Sequence, residues 1–403
     1  MKAYERLLRY AAVDTQSNED SADVTPSTKK QFDLVRLLTE EMEALGLERV
    51  YSDEHAYTYG YLPATPGMED KPVIGLIAHI DTAPDFSGTG VKPVLHPDYD
   101  GGDVVLGESG RVLSPVQFPD LSDCVGQTLI TTDGTTLLGA DDKAGVAEIL
   151  TACEELIRSG APHGGIAVCF PPDEEIGHGA ALLDIERFGA DFAYTVDGDA
   201  VEEINFETFN AAGARFAVKG VNVHPGSAKD IMVNASLVAM EINALLPPEE
   251  IPARTEGYAG FFHLTDMSGS VSEAELKYIV RDHDAGRFQA RCDTLRGIER
   301  AMNEKYGAGT VALTLTEQYR NMAEIIGGHM EIVDRAKAAI EKAGLEPVVR
   351  PIRGGTDGAQ LSFRGLPCPN LGTGGAAFHG PYEHITVEHM DQAVQVILGI
   401  VGA

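Results

Sequence analysis

The alternation of apolar and polar residues along the chain predicts strands and helices that follow one another in turn. Residues 1–50 have the apolar spacing of helices. Residues 143–159 have a strong helical pattern that ends at Gly160, as helices often do. Short apolar runs predict four strands, at residues 73–79, 128–131, 165–170 and 190–196. Strands that alternate with helices predict an α/β fold with a mostly parallel sheet.

The pattern changes near residue 208, where a strand-helix-strand-strand-helix-strand order begins. The predicted elements are a strand at 214–219, a helix at 228–246, strands at 260–265 and 275–282 around a turn at 267–272, a helix at 285–306 and a strand at 310–317. This order is that of a ferredoxin-like module. On helix 228–246, one face carries Ile231, Ala235, Val238, Ile242 and Leu245. Because α/β patterns resume after about residue 320, we predict one domain from 1–207 and 320–403, with an inserted domain at 208–319.

Composition places the chain among ordinary globular proteins. Of its 403 residues, 43% are apolar and 23% are charged. No apolar stretch reaches 18 residues, so we expect no membrane span. The first residues open an amphipathic helix and not a secretory signal, which favours a cytoplasmic protein. Five cysteines without a CxxC pair predict buried, reduced thiols that bind no metal.

The chain is strongly acidic, with a formal net charge of −31. Nucleic acids and anionic membranes are recognised by basic surfaces, so neither is expected as a partner. Most of these acids must be solvated, and the charge alone therefore does not indicate a metal site.

Histidine and acidic residues follow one buried strand after another. His79 and Asp81 come at the end of the first strand, Glu174 and Glu175 after the third, and Asp197 after the fourth. The carboxyl ends of parallel strands are where α/β enzymes keep their sites. Two further candidates lie in glycine-rich segments, Asp141 and His379. Two histidines and three carboxylates can hold two metal ions if one carboxylate bridges, and a further carboxylate can then move protons.

Each of these residues has a plainer interpretation when taken alone. A lone histidine at a strand end is usually a satisfied polar residue. Asp141-Asp142 before a helix is usually a cap with a first-turn acid, and a Glu-Glu pair is usually solvated. Their shared placement favours a site. Neighbours in an extended segment point opposite ways, so one of Glu174 and Glu175 can bind metal while the other faces substrate. Asp81 can hydrogen-bond the second nitrogen of His79.

Four motifs resemble those of the di-zinc exopeptidases, the family that includes carnosinases, aminoacylases and succinyl-diaminopimelate desuccinylase. They are His79-Ile80-Asp81-Thr82, Gly139-Ala140-Asp141-Asp142-Lys143-Ala144-Gly145, Asp173-Glu174-Glu175-Ile176-Gly177 and the late His379. The segments at 126–139, 223–229 and 351–360 are most similar to the bacterial aminotripeptidase branch of that family. The similarity covers nearly the whole chain.

The resemblance implies two zinc ions per subunit and a role for each site residue. One zinc would be bound by His79, Asp141 and Asp197. The other would be bound by Asp141, Glu175 and His379, with Asp141 bridging the two ions. Glu174 would be the general base, and Asp81 would orient a ligand. In the family the peptide bond after the bridging Asp is often cis.

The resemblance also implies how substrate is bound. It assigns His224, Arg281 and Arg353 to substrate binding, and it makes the inserted domain a lid or dimerisation domain. Members with amino- or dipeptidase activity tend to have Asp at the position of Asp197, whereas carboxypeptidases and deacylases tend to have Glu.

We therefore expect a cytoplasmic two-zinc aminopeptidase that removes the N-terminal residue from tripeptides. Its expected partner is a small peptide substrate, and a homodimer is the candidate assembly. One alternative is a dipeptidase or N-acyl amino acid deacylase with the same metal centre. Asp197 disfavours the deacylase, and the long segments that are similar to the aminotripeptidase branch disfavour both. Another is a non-catalytic peptide-binding relative, which the complete ligand set disfavours.

Overall fold

The computed structural model describes residues 1–21, 23–107 and 109–402. The chain folds into two compact units. The first comprises Met1–Phe206, Glu324–Arg350 and Thr356–Ala403, and the second comprises Glu207–Ala323 and Pro351–Gly355. The second unit extends beyond the predicted 208–319 insert at both ends, and it also takes in a short return segment. Its roles as a lid and in dimerisation stay predictions.

Helices and strands alternate through the first unit, as the sequence pattern indicates. The helices in the described residues are α1 Ala3–Ala11, α2 Gln31–Leu45, α3 Ala140–Ser159, α4 Ile185–Phe188, α5 Ala235–Ala244, α6 Ala285–Tyr306, α7 Ala323–Ile326, α8 Met330–Lys342, α9 Asp357–Phe363 and α10 Val387–Val401. None of these helices combines the length and the apolar composition that crossing a membrane requires.

The strands in the described residues are β1 Glu48–Ser52, β2 Thr58–Leu62, β3 Ile74–Ile77, β4 Val94–His96, β5 Val104–Leu106, β6 Arg111–Leu113, β7 Leu129–Thr131, β8 Ile166–Phe170, β9 Phe192–Gly198, β10 Glu203–Asn205, β11 Asn210–Lys219, β12 Phe261–Gly269, β13 Glu273–Asp282, β14 Val311–Tyr319, β15 Val348–Val349, β16 Asn370–Gly372 and β17 Ile385–Thr386.

The main sheet has eight strands in the order β1-β2-β8-β3-β9-β16-β10-β15. Its centre is parallel, because β3 pairs with β8 and β9, and β16 pairs with β9, all in the parallel sense. The pairs β1–β2, β2–β8 and β10–β16 are antiparallel, so the whole sheet is mixed. The predicted α/β fold class is confirmed.

One predicted strand lies outside this sheet. Strand β7 pairs antiparallel with β4 and β17 in a separate three-stranded sheet. A short apolar run predicts that a strand forms but does not identify its partner.

Helices cover both faces of the main sheet. Side chains alternate along each strand, so a strand that is buried on both sides has residues that pack against the helices of each layer. On β9, Ala193 belongs to a buried cluster with Phe188 of α4 and Leu361 of α9. The next residue, Tyr194, points the other way and donates its hydroxyl to the carbonyl of Ile332 on α8 at 2.6 Å. Helix α3 also packs against β9. The carboxyl end of β9 is therefore fixed between two helical layers.

The second unit is a four-stranded antiparallel sheet in the order β12-β13-β11-β14, with α5 and α6 packed on it. Its core includes Val238 and Ile242 of α5 and Leu295 and Ile298 of α6. The element order β11-α5-β12-β13-α6-β14 is that of a ferredoxin-like module.

Several boundaries in this unit differ from the sequence prediction by a few residues, and the start of α5 differs most. Helix α5 begins only at Ala235, because the Asn234 side chain caps it by accepting the N–H groups of Ser236 and Leu237. Ile231 lies before this cap and Leu245 after the helix, so both are about half exposed, at 56% and 48%. The predicted turn at 267–272 is shorter, because β12 continues to Gly269.

Candidate active site

His79 and Asp81 follow β3 and are almost completely buried. The Nδ1 atom of His79 lies 3.3 Å from Oδ1 of Asp81 and 3.1 Å from its backbone carbonyl. This contact fixes the ring and directs Nε2 toward Asp141 and Asp197, at 3.0 and 3.4 Å. Asp81 thus lies where the sequence prediction requires an orienting carboxylate.

Asp141 lies at the beginning of α3, and its peptide bond to Asp142 is cis, as expected. Asp142 is fully buried and accepts the backbone N–H groups of His79 and Gly145, at 3.1 and 3.2 Å. Asp142 therefore joins the end of β3 to α3, while the Asp141 carboxylate points toward the two histidines.

Glu174 and Glu175 lie in a 3-10 turn after β8, Glu174–Ile176. Their backbone N–H groups donate to the two carboxylate oxygens of Asp81, at 3.0 and 3.3 Å. The Oε2 atom of Glu175 lies 3.0 Å from Nε2 of His379, whereas its Oε1 atom is buried without a partner. The Glu174 carboxylate, in contrast, makes no hydrogen bond within the described residues. The two glutamates therefore differ in the contacts of their side chains.

Five side chains form two groups of three that share Asp141. One group is His79, Asp141 and Asp197, and the other is Asp141, Glu175 and His379. In each group the nitrogen and oxygen atoms lie within 4.8 Å of one another. The Oδ1 atom of Asp141 is 3.0 Å from His79, and its Oδ2 atom is 3.2 Å from His379. One oxygen of Asp141 thus serves each group.

Burial and the neighbouring charges shift the pKa values of the site residues. Burial and then Asp141 raise the pKa of Glu175 to about 8, and burial raises that of Asp197 to about 6. Burial and then the Asp197 charge also hold the pKa of Glu174 well above its ordinary value. Hydrogen bonds to Asp141 and Glu175 raise the pKa of His379 to about 11. For Asp141, burial is outweighed by His379 and His79, which lower its pKa. The cluster is one that added positive charge would stabilise.

This donor set fits divalent metal ions. Each group offers one imidazole nitrogen and two carboxylates, which are ligands that zinc accepts. The buried Oε1 atom of Glu175 has no hydrogen-bond donor, and an unpaired buried oxygen is costly unless a proton or a cation satisfies it. The site therefore suits a pair of cations that share one carboxylate.

The three residues assigned to substrate binding all lie in the second unit. His224 is exposed, and its Nδ1 accepts the N–H of Gly226 at 3.1 Å, so in a neutral ring the proton is on Nε2. Arg281 is half-buried on β13. Its Nη1 donates to the carbonyls of Ala212 and Val280, at 3.3 and 3.1 Å.

Arg353 is more fully engaged than Arg281. Its Nη1 donates to the carbonyls of Gly257 and Ala259, at 2.6 and 2.9 Å, and its Nη2 donates to Thr255. These bonds join the return segment Pro351–Gly355 to the rest of the second unit. Arg353 therefore has a structural role that the sequence did not indicate.

Sequence reasoning missed three buried acids that support the site. Asp142 was assigned only as a member of an acidic pair. Asp173 accepts from the backbone N–H of Ser27 at 2.6 Å and from Gln31 at 2.7 Å, which holds the turn with Glu174 in place. Glu383 accepts three backbone N–H groups near Asp141. No local signal marks Asp173 or Glu383, because their partners lie more than 140 residues away.

The mixed α/β fold and the two groups of acids and histidines are consistent with a metal-dependent hydrolase. The chain belongs to peptidase family M20/M25/M40, whose sequence model matches residues 133–403. Among curated relatives, Peptidase T of Alkaliphilus oremlandii is 52% identical over 400 residues, which cover 98% of each chain. The exopeptidase resemblance seen in the motifs is thus confirmed, and the protein is an enzyme of the peptidase class.

Solved structures share the fold. The structure of an aminopeptidase from Bacillus cereus superposes with a TM-score of 0.79 at 24% identity, over 99% of this chain and 97% of that one. A tripeptidase from Staphylococcus aureus superposes with a TM-score of 0.78 at 22% identity, over the same shares of the two chains.

Proposed function

We propose that this protein is a zinc-dependent aminopeptidase that removes the N-terminal residue from tripeptides. The observation that carries the proposal is the pair of acid-and-imidazole groups that share Asp141. The Glu174 carboxylate lies close enough to feel the charges of Asp197 and His79, and it makes no hydrogen bond within the described residues. The relatives named Peptidase T, together with the solved aminopeptidase and tripeptidase, support the choice of substrate.

In this proposal two zinc ions are bound per subunit. His79, Asp141 and Asp197 would hold one ion, and Asp141, Glu175 and His379 would hold the other. When bound, such a pair polarises the scissile carbonyl and lowers the pKa of a water molecule. The carboxylates of both groups would offset the positive charge.

Glu174 would move the protons of the reaction. A general base needs a pKa near the working pH, and burial and nearby acids raise the pKa of Glu174 well above its ordinary value. Glu174 would take a proton from the attacking water and deliver it to the nitrogen of the departing peptide. Asp81 would keep Glu174 in place through the two backbone N–H groups that it accepts.

The remaining substrate groups would be recognised by charge. The acidic centre suits the positive N-terminal amine of a peptide. The Nε2–H group of His224 would donate to the carbonyl oxygen as it becomes negative. Arg281 or Arg353 would bind the C-terminal carboxylate, since guanidinium groups bind carboxylates in a bidentate manner.

We also infer that the enzyme works in the cytoplasm, and we propose a homodimer because the family resemblance makes the inserted domain a candidate dimerisation domain. All five cysteines are buried and unpaired, which suits a reducing compartment. Light scattering on the purified protein decides the oligomeric state, and a monomer at micromolar concentration would contradict the second part of this inference.

The function is tested by removing metal with a chelator and restoring it with zinc. We expect no hydrolysis of a free tripeptide by the metal-free protein and recovery after zinc addition. An N-acetylated tripeptide and a dipeptide serve as paired substrates. Faster cleavage of the acetylated substrate would favour the deacylase alternative, and faster cleavage of the dipeptide would favour a dipeptidase. Full activity without metal would contradict the mechanism.

A further inference from the structure

Glu383 is a buried carboxylate that receives three backbone hydrogen bonds from one short segment. Its exposed fraction is 1%. The Oε2 atom accepts the N–H groups of Leu138 and Gly139, at 2.6 and 2.9 Å, and the Oε1 atom accepts the N–H of Asp141 at 3.0 Å. Both oxygens are thus used to hold the segment that leads into α3.

Glu383 also belongs to the loop that carries His379. The loop is closed by a pair of backbone hydrogen bonds between Ala376 and His384, at 2.9 and 3.0 Å. Within it, the N–H of Glu383 donates to the carbonyl of Gly380 at 3.3 Å. The side chain of Glu383 therefore connects the His379 loop to the backbone of Asp141.

We propose that Glu383 is a positioning residue that sets the Asp141 carboxylate against the ring of His379. These two side chains lie 3.2 Å apart, and they come from segments 238 residues apart in the sequence. No other described side chain accepts the backbone N–H of Asp141. The consequence for metal binding rests on the function proposed above.

The two metal groups depend on Glu383 to different degrees. In the group of Asp141, Glu175 and His379, two of three residues lie on segments that Glu383 joins. In the group of His79, Asp141 and Asp197, only Asp141 does. Loss of the Glu383 contacts should therefore weaken the first group more than the second.

A carboxylate is needed at this position because all three groups that face it are donors. Glutamine has the same shape but only one acceptor oxygen. If that oxygen keeps the bonds to Leu138 and Gly139, the amide nitrogen must face the N–H of Asp141. A negative charge also suits the start of a helix, where backbone N–H groups are unsatisfied.

The test compares Glu383→Gln with Glu388→Gln. Glu388 is a matched control, since its Oε2 atom also accepts one backbone N–H, that of Thr128 at 2.8 Å. Hydrogen exchange of the metal-free proteins measures protection of the Asp141 amide. Zinc titration of the same samples by calorimetry measures the two binding events.

For Glu383→Gln we expect faster exchange at Asp141, unchanged protection in the later turns of α3, and about a 10- to 100-fold loss of affinity in one zinc-binding event. The other event should change less, and Glu388→Gln should match the wild type. Equal losses in both events would indicate a general structural role and overturn the proposal, as would unchanged exchange at Asp141.

The same measurements distinguish failure of the proposed function from failure of the variant to fold. If the wild type binds no zinc, the proposed function fails, and exchange at Asp141 in the metal-free protein still decides the role of Glu383. If Glu383→Gln does not fold, Glu383→Asp replaces it. That variant keeps the charge on a side chain one methylene shorter, and we expect the same selective loss of one binding event.

Discussion

At the scale of single residues, neighbouring acids do different work because their surroundings differ. Glu174 and Glu175 are adjacent, and both donate their backbone N–H to Asp81. Only Glu175 contacts His379, whereas the Glu174 carboxylate has no hydrogen-bond partner in the described part of the chain. Substitution of the two glutamates should therefore have different effects on metal binding and catalysis.

We predict that Glu174→Gln keeps both metal ions and lowers kcat by about 10²- to 10⁴-fold, as loss of a general base does. Glu175→Gln should lose metal as well, because it removes a ligand oxygen. Metal analysis and steady-state kinetics on the same preparations measure both effects. Equal metal loss in the two variants would reverse the assignment of the pair.

The carboxylate end of the substrate gives a second prediction. Arg353 uses both terminal nitrogens on the backbone and hydroxyl of residues 255–259, so Arg281 is the freer guanidinium. We predict that Arg281→Ala greatly reduces turnover of a tripeptide and hardly affects the tripeptide amide, which lacks the charge. Similar losses on both substrates would leave Arg353 as the candidate anchor.

At the scale of elements, α3 carries Asp141, which belongs to both groups of acids and histidines, and the packing of α3 on β9 sets the distance from Asp141 to Asp197. The contact is close at Gly145, where an added Cβ would lie 2.0 Å from the carbonyl oxygen of Val196. Backbone atoms of a central strand cannot move aside easily. Gly145 therefore allows α3 to approach β9 next to the site.

We predict that Gly145→Ala lowers the free energy of unfolding by about 1–3 kcal/mol, because it overpacks this contact. Gly297→Ala in α6 is the control, since the nearest atom to its added Cβ is the end of the Arg300 side chain at 3.9 Å. That change should raise stability by about 0.4–1 kcal/mol. Urea unfolding measures both, and a stable Gly145→Ala protein would show that α3 can shift without cost.

Another contact of α3 predicts a pH dependence of stability. The contact is between the Glu154 carboxylate on α3 and two cations, the Met1 amine and Arg6. Burial raises the pKa of Glu154, but the two cations together outweigh burial and lower this pKa below its ordinary 4.5. Because the pKa is lowered in the folded protein, ionised Glu154 contributes to the free energy of unfolding. This contribution is complete above pH 4.5 and is lost as the pH falls through the lowered pKa.

Glu154→Gln should therefore cost about 1 kcal/mol at pH 7 and progressively less below pH 4.5. Urea unfolding of untagged protein across this range measures the difference from the wild type. Glu155→Gln is the control, because Glu155 makes none of these contacts. A difference that grows in acid would contradict the assignment.

The elements were predictable from sequence to the extent that their signals are local. Residues 165–170 and 190–196 were predicted as strands because each is a short apolar run, and Gly160 ends α3 as predicted. The partner of β7 and the first residue of α5 were not predictable in this way. They depend on β4 and β17 in one case and on the Asn234 cap in the other.

At the scale of the whole molecule, the candidate ligands were predictable because each lies in a short motif or at a strand end. What those motifs do not reveal is the support around them. Asp81 was expected to orient His79, two residues away, but its bonds to the Glu174 and Glu175 backbones span more than 90 residues. Glu383 and Asp173 were missed for the same reason. Such contacts form only when distant segments pack.

The large negative charge also acts at this scale. A formal net charge of −31 on 403 residues repels nucleic acids and favours the approach of cations. Part of that formal charge comes from the three candidate ligand carboxylates, Asp141, Glu175 and Asp197, and from Glu174. The central claim is that the candidate site binds two metal ions that share Asp141.

The most direct test is a crystal structure of the zinc-loaded protein with anomalous diffraction data collected at the zinc edge. The account predicts two peaks, one bounded by His79, Asp141 and Asp197 and the other by Asp141, Glu175 and His379. A single peak, or two peaks that do not share Asp141, would contradict it.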